Sequence, residues 1–235
     1  MATPLDLRNR RREAQRAVRL AVNAINSGLD EWKAAVGDGK QHATALTNAI
    51  LTQLHLPAMP LTLLGEATEL RAAATVKLLQ QQAEAVAQLA GCLERLRCAV
   101  ERLAEATAGL QQLLDSEASA PLLMEGAVFA TLPLRVLGNM AAEVERMHRA
   151  ELDVKAAVLH GFQQILDTLR AAEDRERKSK GGLDSGGVGT LAAAREDKLR
   201  RTMQVYLTAW LLSAHVDERG VEAHLALIAS DMRGF

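Results

Sequence analysis

The pattern of apolar positions is clearest between Val76 and Leu114. One row recurs every seventh residue: Leu79, Val86, Leu93, Val100, Thr107 and Leu114. A second row runs through Leu89, Leu96, Leu103 and Leu110, with Gln82 at its N-terminal position. Two apolar rows spaced in this way are the a and d rows of a heptad seam. Gln82 and Thr107 are its lapses, and no proline interrupts it. A helix this long cannot bury its seam against itself, so a partner helix is required.

A second stripe follows through Leu137, Met140, Val144, Met147, Val154, Val158, Ile165 and Leu169. Glu151 falls on it, and the apolar series shifts there to Leu152 and Phe162. A glutamate in a seam costs stability unless it is paired. Upstream, Val18, Val22, Ile25, Leu29 and Trp32 follow the helical period over residues 5–36. Gly37, Asp38 and Gly39 then predict a break or tight turn before a second helix over 40–54, giving either a hairpin or one helix interrupted near Gly37.

These elements predict an all-α fold: an elongated helical bundle built on a long antiparallel coiled-coil hairpin, with short N- and C-terminal helices packed on it. The expected segments are N-terminal amphipathic helices over 1–56 and a proline-containing linker over 57–65. The hairpin follows over 66–178, as helices 66–114 and 134–178 around a loop at 115–133. Its Leu122, Leu123, Met124, Val128 and Phe129 predict a loop that docks. A Gly/Ser-rich flexible loop is expected over 179–190, then C-terminal helices over 191–235.

Composition agrees with this. Hydrophobic residues make up 49% of the 235 residues and aromatics 3%, so alanine and leucine, both strong helix formers, carry the core. The net charge of −1, from 28 basic and 29 acidic residues, makes direct nucleic-acid binding an unexpected main role. The charge is uneven at the start, where Arg8, Arg10, Arg11, Arg12, Arg16 and Arg19 face only Asp6 and Glu13. That run reads either as a solvated helix face or as an import or chromatin-contacting arm. Cys92 and Cys98 lie six apart on one helix, which suits free thiols in a reducing compartment. No apolar leader-like region stands at the N-terminus, and no run is long enough to span a bilayer.

Little chemistry is legible. Glu145 and His148 make one ExxH, but a helical di-iron site needs a second one and further glutamates. The glycines at 181–189 lack the GK[ST] ending of a phosphate loop. A non-enzyme with no cofactor, no metal and no small-molecule substrate is expected. Interspersed charges of both signs argue against a lipid-surface helix, and no membrane association is expected.

The C-terminal stretch YLTAWLLSAHVDERGVEAHL contains Tyr206, Leu207, Trp210, Leu211, Val216 and Asp217. This spacing resembles the end of the cyclin-dependent kinase 2-interacting protein (CINP) family. Met147, Arg149, Glu151, Leu152, Val154, Lys155 and Val158 resemble the family's long second helix, with His148 in place of a tyrosine. Trp32, Thr44, Asn48 and Ile50 resemble its N-terminal segment, and Phe129 and Pro133 its Phe-x-x-x-Pro element. The resemblance implies a non-catalytic nuclear adaptor that links S-phase kinases and damage-checkpoint signalling to replication. It also implies a subunit of an assembly with AAA+ ATPases and a second small helical protein, active in replisome turnover and late maturation of the large ribosomal subunit. The implied partners are a cyclin-dependent kinase, those ATPases and that helical subunit. Candidate interaction residues are Trp32, Glu151, Tyr206, Leu207, Trp210, Leu211 and Val216. The ordinary reading of Trp32, Tyr206 and Trp210 is core packing, and of Glu151 a paired seam residue; a partner contact is the alternative for each. A coiled-coil tether or homodimer and a lipid-surface helical protein are the alternatives.

Overall fold

In a computed structural model, residues 4–59, 67–117, 126–179 and 189–235 are described. They form five α-helices: α1 (Pro4–His55), α2 (Ala67–Glu117), α3 (Leu134–Ser179), α4 (Gly189–Leu211) and α5 (Glu218–Asp231). A short 3-10 turn, Leu56–Ala58, follows α1. No strand occurs among the described residues, so the chain is the all-α helical bundle that its periodicity predicts.

The N-terminal element differs from expectation. It is one helix of 52 residues, running without a break through Gly37, Asp38 and Gly39. Two glycines cost roughly 1 kcal/mol each in a helix. Buried residues on both sides of them, Trp32, Ala35 and Val36 before and Ala43 and Leu46 after, hold the helix by tertiary packing instead. Residues 180–188 of the expected flexible loop and Leu122, Leu123 and Met124 lie outside the described residues, as does most of the 57–65 linker, whereas Ser179, Gly189 and Thr190 are helical.

Two compact units cut across the serial segments. The first contains Met1–Ala35, Glu94–Asp153 and Ser213–Phe235. Its core joins Val18 and Ile25 of α1, Leu103 and Leu110 of α2, Leu137 and Val144 of α3, and Val221 and Ile228 of α5. Within it α1 and α2 run antiparallel: Gly28 faces Ala99 and Leu103, while Glu31 pairs with Arg95 at 2.7 Å. The loop before α3 docks here through Val128 and Phe129, both buried. Arg11 donates to the carbonyl oxygens of Val128 at 3.0 Å and Phe129 at 2.6 Å, and Gln15 donates to that of Val128 at 2.8 Å. At the other end of the loop, Asp231 Oδ1 accepts from the backbone N–H of Thr131 at 2.6 Å and of Leu132 at 3.1 Å.

The second unit contains Val36–Leu93 and Val154–Leu212. Here too α1 and α2 are antiparallel. The buried Gln82 donates to Gln53 at 2.6 Å, and Arg71 reaches back to the Met59 carbonyl at 2.9 Å. The polar lapse in the heptad row is thus matched by a second amide, as a buried polar group requires.

The seam of α2 is wider than a two-stranded coiled coil needs. Beside the leucine row at 89, 96, 103 and 110, a row of small residues is buried at Ala85, Cys92, Ala99 and Ala106. A third row contributes Leu93, Val100 and Leu114. Three buried rows per heptad are the stripe of a helix packed within a bundle.

Candidate partner-binding site

The buried stripe of α3 passes through Val144, Met147, Glu151, Lys155, Val158 and Phe162 at spacings of three, four, four, three and four. Glu151 and Lys155 therefore occupy two successive core positions, and each is 0% exposed. Of the two residues to which the stripe was expected to shift, Phe162 is fully buried, whereas Leu152 is only half-buried, as is Val154. Charged groups so placed need close partners, because leaving water costs each several kcal/mol.

In the second unit, Lys155 finds its partners at the end of α4. Its ammonium donates to the carbonyl oxygens of Ala209 at 2.9 Å, Trp210 at 2.8 Å and Leu212 at 2.8 Å. These carbonyls belong to the last helical turn and the residue just beyond it, where no further amide closes the helix. An ammonium has three N–H donors, and here three acceptors take them. The cation also sits at the negative end of the helix dipole. Its Nζ lies 5.9 Å from the centre of the Trp210 ring, within reach of a cation–π contact.

The aromatic pair of α4 is seated on glycines of two different long helices. A Cβ at Gly39 of α1 would stand 2.5 Å from Cζ2 of Trp210. One at Gly161 of α3 would collide with the ring of Tyr206, which also meets Phe162 edge-on at 5.6 Å and 72°. Trp210 is fully buried, and its indole N–H meets no acceptor among the described residues. Leu207 is half-buried. The outer face of the helix end carries Val205, Leu211 and Leu212, all exposed.

In the first unit, Glu151 Oε2 accepts from the backbone N–H of His215 at 3.0 Å, in the turn between α4 and α5. Val216, in the same turn, packs on the unit's apolar core. Trp32 is buried and meets His148 edge-to-face at 5.0 Å and 84°. His148 Nδ1 lies 2.7 Å from the Val144 carbonyl oxygen, which fixes the ring as a donor at that nitrogen. Burial pushes the His148 imidazole below its ordinary pKa, against the opposing pull of the Val144 carbonyl and the Glu151 charge. A cavity of about 50 Å³ lies beside it, lined by Leu29, Trp32, Lys33, Ser213, Glu218 and Glu222 among others. That volume suits a water molecule or two rather than an organic ligand.

The predicted residues thus divide between the units. Tyr206, Leu207, Trp210 and Leu211 lie in the unit that holds the Lys155 cap, whereas Trp32, Glu151 and Val216 lie in the unit that holds α5. Lys155, Gly39 and Gly161 have positioning roles that the sequence did not assign to them. A lysine four residues after a seam glutamate was the available signal for the first. Nothing local marks a glycine as the seat of an aromatic ring from another helix.

Glu145, half of the lone ExxH, is ion-paired with Arg149 at 2.5 Å. No group of three His, Cys, Asp or Glu side chains among the described residues could hold a metal ion. Cys92 is buried and Cys98 exposed, and both are free. No helix among the described residues is long and apolar enough to cross a membrane. No protein-family model and no curated protein matches this chain.

Proposed function

We propose that this chain is a non-catalytic nuclear adaptor of the CINP type, joining kinase and checkpoint signalling to an AAA+ ATPase assembly. One observation carries the reading: residues quoted for the resemblance from separate stretches are contact partners. Lys155 caps the carbonyl of Trp210, and Glu151 holds the turn beside Val216. A chance match of scattered letters has no reason to fall on residues that touch. The mutual placement of these residues supports a shared fold and, through it, a shared role.

The partner surface in this reading is the outer face of α4. Trp210 and Tyr206 hold the helix, while Leu211 and the neighbouring Leu212 are presented outward and Leu207 is half-buried. Apolar residues left at a helix end suit docking into a partner's pocket.

The test is affinity capture of the tagged full chain from nuclear extract, with mass spectrometry of what is retained. The expected result is recovery of two AAA+ ATPases and a second small helical protein. Leu211→Asp combined with Leu212→Asp should abolish that recovery while helicity stays intact. Recovery of the chain alone would overturn the adaptor reading and leave a homodimerising tether. Recovery of vesicle proteins would point to a lipid surface instead.

A further inference from the structure

The arginines that open the chain do two different jobs. Arg11 is turned towards the loop before α3, where it donates to two carbonyls. Arg8, Arg12, Arg16 and Arg19 lie elsewhere on α1. At 100° per residue they share an arc of about 80° on the helix surface. Leu5 falls in the same arc and Leu20 at its margin, and they are 65% and 62% exposed. The two acidic residues of this stretch lie outside that arc, Glu13 about 60° and Asp6 about 80° beyond Arg16, with Glu13 about 20° from Leu20.

Arg19 rests over the Phe129 ring at 5.4 Å. Among the described residues, Arg8, Arg12 and Arg16 are engaged in no hydrogen bond or ion pair. The face is therefore a single-sign row with an apolar residue towards each end, roughly 22 Å long. A solvated helix face ordinarily mixes both signs and gains from i, i+4 pairs. This one places like charges at i, i+4 and i+8, an arrangement that is unfavourable until a partner supplies the opposite sign.

We propose that this face is a docking surface for an acidic amphipathic helix of a partner protein. Arginine spacings of four, four and three match the rows of carboxylates that such a helix presents at its own helical spacing. Guanidinium groups pair with carboxylates in two-point fashion, which fixes orientation as well as affinity. Leu5 and Leu20 give the apolar side of the partner helix a contact at each end. Two features disfavour a nucleic-acid backbone as the occupant. The chain carries a net charge of −1, and residues 4–31 contain no aromatic side chain on which a base could stack. The inference is independent of any kinase or ATPase, so its failure leaves the capture experiment untouched.

The full chain would be titrated, by fluorescence anisotropy, into a labelled synthetic helix of about three heptads with leucine at a and d and glutamate elsewhere. Saturable binding at low salt is expected, weakening as salt rises. The triple variant Arg8→Gln, Arg12→Gln, Arg16→Gln should bind about tenfold more weakly with unchanged helicity. Leu5→Ser with Leu20→Ser should weaken it further. The proposal is overturned if the triple variant binds as the parent does, or if poly-glutamate without leucine binds equally well. Tighter binding of a short RNA or DNA duplex, lost in the triple variant, would overturn it in favour of a phosphate backbone.

Discussion

The indole of Trp210 occupies the space that any side chain at position 39 would need. Two residues earlier on the same helix, Gly37 faces open space, with nothing within 4 Å of where its Cβ would be. The same substitution should therefore have opposite signs at these neighbouring positions. Gly37→Ala should stabilise by about 0.5–1 kcal/mol through helix propensity alone. Gly39→Ala should destabilise by about 1–3 kcal/mol, because an overpacked core must shift a rigid ring. Urea denaturation of both variants checks this, and equal signs would refute the seating of Trp210 on α1.

Removing the ammonium of Lys155 leaves three carbonyls at the end of α4 without a donor. Lys155→Met retains the apolar stem and should cost about 1–3 kcal/mol. Lys155→Arg should also destabilise, since a planar fork cannot reproduce a three-point cap. Hydrogen exchange should locate the loss in the last turn of α4. A parent-like exchange pattern in Lys155→Met would mean that the cap contributes nothing there.

The buried imidazole of His148 gives stability a pH dependence of definite sign. Its folded pKa lies below the unfolded value, chiefly because burial disfavours the cation. The unfolded chain therefore binds the proton more readily. The stabilisation is complete above the unfolded pKa of about 6.5 and is lost as pH falls through the window beneath it. His148→Phe keeps a ring beside Trp32 and should flatten that acid-side loss. Denaturation midpoints of parent and variant between pH 5 and pH 8 should converge towards the acidic end, and parallel profiles would exclude His148 as the source.

The leucine row of α2 should be unequal in cost. Leu96 and Leu103 are 0% and 1% exposed, so Leu96→Ala or Leu103→Ala should cost about 2–5 kcal/mol. Leu79, on the neighbouring row, is only half-buried, and its truncation should cost clearly less. Thermal melts of the three variants measure the difference.

Much of the architecture was already legible in local spacing. The heptads of α2, the stripe of α3 and the scarcity of proline and aromatic residues predict long packed helices, because helical period and propensity are set by residues three and four apart. The docking of Val128 and Phe129 was legible too, since a solvated loop gains nothing from such residues. The candidate site was legible only in part. Trp32, Glu151, Tyr206 and Trp210 stand out by type, yet nothing in their own stretches says which are inside.

Those decisions depend on residues brought from far along the chain. Gly37–Asp38–Gly39 reads as a stop by its own preferences, and α1 runs through it because packing outweighs a cost of about 2 kcal/mol. Glu151 and Lys155 read as a flaw in a stripe until the end of α4 and the turn after it supply an amide and three carbonyls. The sequence by itself determined which stretches are helical and, for α2 and α3, their approximate lengths. The tertiary structure alone decided that a glycine seats a tryptophan, that a lysine caps a helix and that one row of arginines faces out. A contact, unlike a period, is a property of two segments, and its energy exists only once both are in place.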